Sequence, residues 1–128
     1  WEYQDLMEVT DGVMLDIKAF DCEEHRIVTG AANETVLSNA VWLAEHKKLY
    51  EVRAVIVPGL YDTERSIRRM GEFLAPYLAV HPFRIKVIAY RPMGVRKQYA
   101  CYETPTKEYL KKLANLLESC GFQDIIII

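Results

Sequence analysis

The 128-residue chain lacks the features that define several large classes of protein. It has only three cysteines, Cys22, Cys101 and Cys120, which lie too far apart to suggest a disulfide framework or a CxxC metal site. No apolar run reaches membrane-spanning length, and the opening residues do not have the pattern of a signal peptide. The net charge of −2 differs from the positive charge typical of proteins that bind nucleic acid or an anionic membrane. We therefore expect a cytoplasmic protein with no nucleic-acid or membrane partner.

Common catalytic and cofactor motifs are also missing. There is no GxGxxG, P-loop, HExxH or GxSxG segment, and the three histidines have no metal-ligand spacing. The composition, with 51% hydrophobic and 27% charged residues, is that of a folded globular chain of single-domain length. Because the first residue is Trp1 and not methionine, we expect the chain to start inside a longer polypeptide.

Alternating strand and helix patterns predict an α/β fold. Strands are predicted at 13–18, 52–57 and 83–90, where β-branched and other apolar residues dominate. Helical patterns lie between and after them, and a helix tail precedes the first strand at 2–9. This order favours parallel strands with covering helices. The predicted helix N-caps are Asp21, Asn33, Asp62 and Thr104.

Two points of the fold stay open at this level. The apolar segment 125–128 is either a final strand or a tail packed on the core. Periodicity also does not distinguish an open doubly wound sheet from a piece of a barrel.

Asp16 and Lys18 stand two residues apart at the end of the first predicted strand. Side chains in a strand alternate between its faces, so both charges project from the same face. Charged groups in such an apolar run are costly to bury unless they pair or hold a polar ligand. Because ligands of parallel α/β folds bind at the carboxyl ends of strands, the pair indicates a binding site.

Arginines on the next two strands extend this candidate site. Arg53 shares a strand face with Val55 and Val57, and Arg91 follows the third predicted strand. A carboxylate, an ammonium and two guanidinium groups suit a zwitterionic ligand with hydroxyls, such as an amino acid or nucleoside. An internal salt bridge from Asp16 to Lys18 or Arg53 explains the same residues, and pattern alone does not choose. The basic residues Arg84, Lys86, Arg91, Arg96 and Lys97 are interpreted mostly as scattered surface charge.

Segments along almost the whole chain resemble a known family. The first segment is Leu6–Lys18, which ends in an L-D-[IL]-K strand end. It is followed by 25–30, 33–39, 43–45, 52–59 and 70–74, of which 52–59 carries an R-x-x-x-x-P-G strand end. In this order they resemble the carboxyl-terminal half of glycyl-radical-enzyme activating enzymes, of which the pyruvate formate-lyase activating enzyme is the familiar member. These enzymes belong to the radical S-adenosylmethionine superfamily.

The resemblance implies a fold and a cofactor site. Residues 1–128 would form a single fragment, the carboxyl-terminal half of a partial (β/α) barrel that holds its last three strands. Asp16, Ile17 and Lys18 would contact S-adenosylmethionine, and Arg53 would line the same pocket. Arg91 stands where the family usually has a histidine near the adenosine part of the cofactor.

The resemblance also implies the reaction of an intact parent. There, a [4Fe-4S] cluster cleaves S-adenosylmethionine reductively, and the resulting radical abstracts hydrogen from a glycine of a partner glycyl-radical enzyme. The electron donor would be a flavodoxin or ferredoxin. The CxxxCxxC cluster loop and the Gly-Gly-Glu segment of the family are not in this sequence. We therefore expect no catalytic or metal-binding residue in this chain, and an inactive fragment.

Two further expectations accompany this hypothesis. A half-barrel leaves a strand edge open, which favours self-association. The alternative hypothesis is a stand-alone α/β domain that binds a small anionic or zwitterionic ligand through Lys18 and Arg53.

Overall fold

A four-stranded parallel sheet forms the centre of the molecule in the computed structural model, which describes residues 4–128. The strands are β1 (Val13–Asp16), β2 (Leu49–Ile56), β3 (Arg84–Ala89) and β4 (Ile125–Ile127). Each strand pairs in parallel with its neighbour, in the order β1-β2-β3-β4. The predicted α/β fold with parallel strands is therefore confirmed.

The strand order answers both points that the sequence left open. The terminal apolar segment contains β4, so the described sheet has four strands and not three. Its strands lie side by side in the order in which the chain forms them. A doubly wound sheet reverses direction at a switch point, whereas a (β/α) barrel adds each new strand on the same side. The sheet is therefore built like part of a barrel.

The described residues form five α-helices, α1 (Gln4–Glu8), α2 (Cys22–Thr29), α3 (Glu34–Glu45), α4 (Thr63–Leu74) and α5 (Lys107–Ser119). Helices α3 and α5 pack against the strands, and α4 packs against α5. No helix within residues 4–128 is long and apolar enough to cross a membrane. Residues 2 and 3 of the helix predicted at 2–9 lie outside the described residues.

The main core lies between one face of the sheet and the helices. Alternate residues of β2 and β3 point into it, because side chains in a strand alternate between faces. Each fully buried aliphatic side chain contributes about 1.5–3 kcal/mol through removal from water. The strand residues of this core are Val52, Ala54, Ile56, Ile85 and Val87, and they meet Leu43, Ile67, Met70, Leu113 and Leu117 from the helices.

Two of the four predicted N-caps are confirmed. The Asp21 carboxylate accepts from the amides of Glu23 and Glu24, and the Asp62 carboxylate accepts from the amide of Arg65. Both aspartates therefore satisfy backbone donors that a helix start leaves without a partner.

The other two predicted caps differ in the structure. Asn33 precedes α3, but its side chain makes no capping hydrogen bond. The prediction of Thr104 was wrong, because Thr106 caps α5 by accepting from the amide of Tyr109 at 3.1 Å. Pro105 is buried in the loop before this helix. The helix begins at Lys107, two residues later than predicted, so Thr106 and not Thr104 stands at the cap position.

Gly71 lets α4 and α5 approach closely. A β-carbon at this position would lie 2.9 Å from Sγ of Cys120 and 3.2 Å from a methyl carbon of Leu117. Real side chains avoid such a contact, so the absence of a side chain at Gly71 sets the spacing of these two helices.

Candidate functional site

Charged side chains line the face of the sheet that is turned away from the core. We call this the inner face, because it corresponds to the interior face of a barrel. Residues paired across parallel strands share a face, and Asp16 pairs with Arg53, which pairs with Lys86. These three side chains therefore form one row across three strands. The inner face comprises Met14 and Asp16 of β1, Glu51, Arg53 and Val55 of β2, and Arg84, Lys86 and Ile88 of β3.

Glu51 joins two cations on this face. Its side chain is only 2% exposed, and its Oε1 accepts a hydrogen bond from Nε of Arg53 at 2.6 Å. Its Oε2 lies 3.0 Å from Nζ of Lys86. Burial alone would raise the pKa of Glu51, but the hydrogen bonds and positive charges of Arg53 and Lys86 outweigh it and lower this pKa. Glu51 is therefore held as a carboxylate.

Arg53 is brought to the inner face as the sequence predicted. Its hydrogen bond to Glu51 raises the pKa of its guanidinium, and its Nη2 lies 2.8 Å from Sδ of Met14. The side chain remains about one-third exposed. Part of its guanidinium is therefore accessible to a ligand on this face.

Sequence reasoning missed Glu51 and did not single out Lys86. The predicted second strand began at residue 52, but β2 begins at Leu49 and therefore includes Glu51. The position of Glu51 two residues before Arg53 was the available signal, since that spacing puts both on one face. The basic cluster was interpreted as mostly surface charge, and Lys86 is an exception, because its side chain is only 20% exposed and is paired with Glu51.

Asp16 and Lys18 form an ion pair at the end of β1. Nζ of Lys18 lies 3.4 Å from Oδ1 of Asp16, and the side chains of Lys18 and Asp16 are 36% and 47% exposed. An exposed pair of this kind contributes only about 0–1 kcal/mol to stability. The salt bridge considered from the sequence is thus present, and both groups remain accessible to a ligand.

Hydrogen bonds from neighbouring elements hold the segment after β1. The amide of Ile17 donates to the carbonyl of Arg53 at 3.0 Å, which continues the sheet beyond Asp16. Two residues after Lys18, the amide of Phe20 donates to Oγ of Ser66 at 2.8 Å. The Ile17 side chain is fully buried in the core. Any ligand contact of Ile17 therefore involves its backbone.

Arg91 lies in different surroundings from the other predicted site residues. It is exposed and lines a cavity of about 700 Å³ between β4 and α5, together with Ala89, Pro105 and Leu110. Asp16, Lys18 and Arg53 do not line this cavity. The described structure does not group Arg91 with the charged inner face, and its contact with a cofactor stays a prediction.

A second cavity, of about 470 Å³, lies beyond the carboxyl ends of β2 and β3. Val57, which follows β2, and Tyr90, which follows β3, contribute to its wall. The Tyr90 hydroxyl donates to the carbonyl of Tyr99 at 2.8 Å, which ties the following loop to the sheet. Parallel α/β proteins bind ligands at this end of the sheet. The lining combines tyrosine rings with apolar residues and with the cations Arg26 and Arg96.

The described residues do not fit an iron-sulfur cluster. Residues 4–128 contain no group of three or more histidine, cysteine, aspartate or glutamate side chains placed to hold a metal ion. The free thiols of Cys22, Cys101 and Cys120 belong to α2, a loop and the end of α5. The donors and acceptors of the inner face do suit an amino-acid or nucleoside ligand.

Curated relatives show which proteins this chain is similar to. No family model matches the sequence. The chain is 39% identical over 93 residues to the pyruvate formate-lyase-activating enzyme of Streptococcus mutans, which covers 73% of this chain and 35% of the relative. It is 34% identical over 125 residues to the pyruvate formate-lyase 1-activating enzyme of Escherichia coli K12, covering 91% of this chain and 50% of that protein. The chain is homologous to part of the pyruvate formate-lyase activating enzymes.

Further comparisons agree with this homology to activating enzymes. The choline trimethylamine-lyase activating enzyme of Oleidesulfovibrio alaskensis is 35% identical over 91 residues. The crystal structure of a domain of a pyruvate-formate lyase-activating enzyme from Bacteroides vulgatus superposes with a TM-score of 0.78 at 25% identity, covering 97% of this chain and 71% of that one. The chain spans half or less of the length of these curated relatives.

Proposed function

We propose that this chain forms part of the S-adenosylmethionine-binding barrel of an activating enzyme that generates a glycyl radical on a partner enzyme of the pyruvate formate-lyase type. The observation that carries the proposal is the 34% identity to an activating enzyme over 91% of the chain. The charged inner face supports it, because its carboxylates and cations suit a ligand with amine, carboxylate and hydroxyl groups.

The proposed cofactor contacts are Asp16, Ile17, Lys18, Arg53 and Arg91. Asp16 accepts hydrogen bonds from ligand hydroxyl or amine groups, Lys18 and Arg53 donate to ligand oxygens, and Ile17 contributes its backbone. S-adenosylmethionine, when bound, supplies the group that takes a hydrogen atom from the partner's glycine. The residues of this chain bind and orient that cofactor.

The remaining requirements of the reaction lie outside the described residues. A [4Fe-4S] cluster would be held by cysteines of a longer parent, and its electron donor would be a flavodoxin or ferredoxin. We propose that the parent works in the cytoplasm on a glycyl-radical enzyme as its protein substrate. Without the cluster, this chain alone would be inactive.

Self-association is a separate proposal. Within residues 4–128, β1 and β4 each have a strand partner on one side only. Such edges present backbone donors and acceptors that pair readily with another strand. Light scattering that shows only monomers across the concentration range would contradict it.

The sequence upstream of Trp1 tests the main proposal. If the proposal holds, the genomic reading frame continues upstream into a CxxxCxxC loop, with a Gly-Gly-Glu segment between that loop and Trp1. The longer protein should then bind S-adenosylmethionine in equilibrium dialysis. A complete reading frame without such a loop would contradict the enzyme and favour the stand-alone binding domain.

A further inference from the structure

Among the charged side chains of the inner face, Glu51 stands out by its burial. Its side chain is 2% exposed, against 20% for Lys86 and 33% for Arg53. Burying a carboxylate is costly unless cations and hydrogen bonds compensate it, and an apolar residue often stabilises such a position equally well. The carboxylate at this position is therefore explained by the two cations that it pairs with, Arg53 and Lys86.

The charge balance of the inner face depends on Glu51. Lys18 lies just beyond β1 and pairs with Asp16, so it is counted with this face. The three cations Lys18, Arg53 and Lys86 and the two carboxylates Asp16 and Glu51 then give one net positive charge. Arg84 on the same face is paired with Asp124 at 3.1 Å and leaves the balance unchanged. Without the Glu51 carboxylate, the face would carry two positive charges, and Arg53 and Lys86 would repel each other.

This balance matters for a sulfonium ligand. At neutral pH, S-adenosylmethionine carries an ammonium, a carboxylate and a sulfonium, so the molecule is a net cation. S-adenosylhomocysteine has the same groups except that its sulfur is a neutral thioether. A second net positive charge on the inner face would therefore disfavour the first ligand more than the second.

We propose that Glu51 is a specificity-determining positioning residue, which holds Arg53 and Lys86 on the inner face and offsets their charge so that a sulfonium ligand can bind there. This role rests on the proposed S-adenosylmethionine site. Glu51 acts through Arg53 and Lys86 and through its charge, without touching the ligand.

The test compares both ligands on matched variants by calorimetry, using the 128-residue chain and, where available, its longer parent. Glu51→Gln keeps the shape and one acceptor oxygen but removes the charge. We expect its affinity for S-adenosylmethionine to fall by about two- to fifteenfold relative to its affinity for S-adenosylhomocysteine. This range is the effect of one unit charge on another at roughly 10 Å, for dielectric constants between about 80 and 20. Glu45→Gln on α3 makes the same charge change on an exposed helix position and should leave the ratio of affinities unchanged.

A double variant separates charge from structure. Glu51→Gln combined with Lys86→Gln restores one net positive charge, so the ratio of the two affinities should return to the wild-type value. The inference is overturned if Glu51→Gln weakens both ligands equally, if it changes neither, or if the double variant does not recover the ratio.

Unfolding without ligand gives a second readout. Introducing Glu51→Gln into the wild type should lower the free energy of unfolding more than introducing it into the Lys86→Gln variant. The reason is that Arg53 and Lys86 are both left uncompensated only in the first case. The difference between the two losses should shrink in high salt. An equal loss in both backgrounds would show that Glu51 offsets no repulsion, which also overturns the inference. If the longer parent binds neither ligand, the proposed function fails, and the sulfonium role of Glu51 fails with it whatever the unfolding data show.

Discussion

The side-chain amide of Asn33 donates a hydrogen bond to the backbone carbonyl of Phe20 at 2.5 Å. This bond joins the start of α3 to the segment that follows Asp16 and Lys18. Asn33 is 3% exposed, so water does not replace the bond easily. The residue predicted as a helix cap therefore supports the candidate site.

Replacing Asn33 with aspartate distinguishes these two roles. Aspartate is as good an N-cap as asparagine but has no N–H to donate to Phe20. We expect Asn33→Asp to lower the free energy of unfolding by about 1–3 kcal/mol, the cost of a buried polar group that loses its partner. Urea denaturation measures it. Asn115→Asp on the exposed side of α5 should stay within about 0.5 kcal/mol. An unchanged midpoint for Asn33→Asp would show that the bond to Phe20 contributes nothing.

Acid should remove the contribution of Glu51 to stability. Its folded-state pKa lies below the ordinary value of 4.5, so the unfolded chain takes up its proton first as the pH falls. The stabilisation is present above about pH 4.5 and is lost as the pH falls through the lower, folded-state pKa. The unfolding free energy of wild type minus that of Glu51→Gln should therefore decrease below pH 4.5. Urea unfolding across pH 3–7 checks this, and parallel curves for the two proteins would contradict it.

Lys18→Ala should separate ligand binding from stability. If the Lys18 ammonium makes a charge-assisted hydrogen bond, its loss should weaken S-adenosylmethionine binding by about 1–3 kcal/mol in calorimetry. The exposed pair with Asp16 adds little to the fold, so the unfolding free energy should change by less than about 1 kcal/mol. Lys47→Ala, at an exposed position before the amino end of β2, serves as the control and should affect neither quantity. If Lys18→Ala binds the ligand with unchanged affinity, Lys18 makes only its ion pair with Asp16 and does not contact the ligand.

Gly71→Ala should destabilise the packing of α4 on α5. Alanine favours an isolated helix by about 1 kcal/mol over glycine, but its β-carbon would lie 2.9 Å from Sγ of Cys120. Overpacking of this kind costs about 1–3 kcal/mol, so we expect a net loss in thermal or urea unfolding. Cys120→Ala removes that sulfur, and the double variant should be more stable than the sum of the single effects indicates. Strict additivity would show that the helices relax without strain.

Local patterns predicted much of this fold because they act over short stretches of chain. The β-branched runs that end near Asp16, Ile56 and Ala89 form the first three strands, although β2 starts earlier than predicted. Asp21 and Asp62 cap their helices because each donor lies only two or three residues away. The fourth strand was left open because 125–128 carries no periodicity beyond a uniform apolar run.

The sequence by itself determined the α/β class, the pairing of Asp16 with Lys18 and the resemblance to activating enzymes. Each follows from residues close together in the chain or from their linear order. Only the tertiary structure decided that β1 ends at Asp16 and not at the predicted Lys18, that the strands lie in chain order, that Asn33 supports Phe20, and that Arg91 lines a cavity to which Arg53 does not contribute. It also decided that Glu51 lies between Arg53 and Lys86, because this contact depends on the register of β2 against β3. Burial of the apolar faces sets that register, and no local pattern records it.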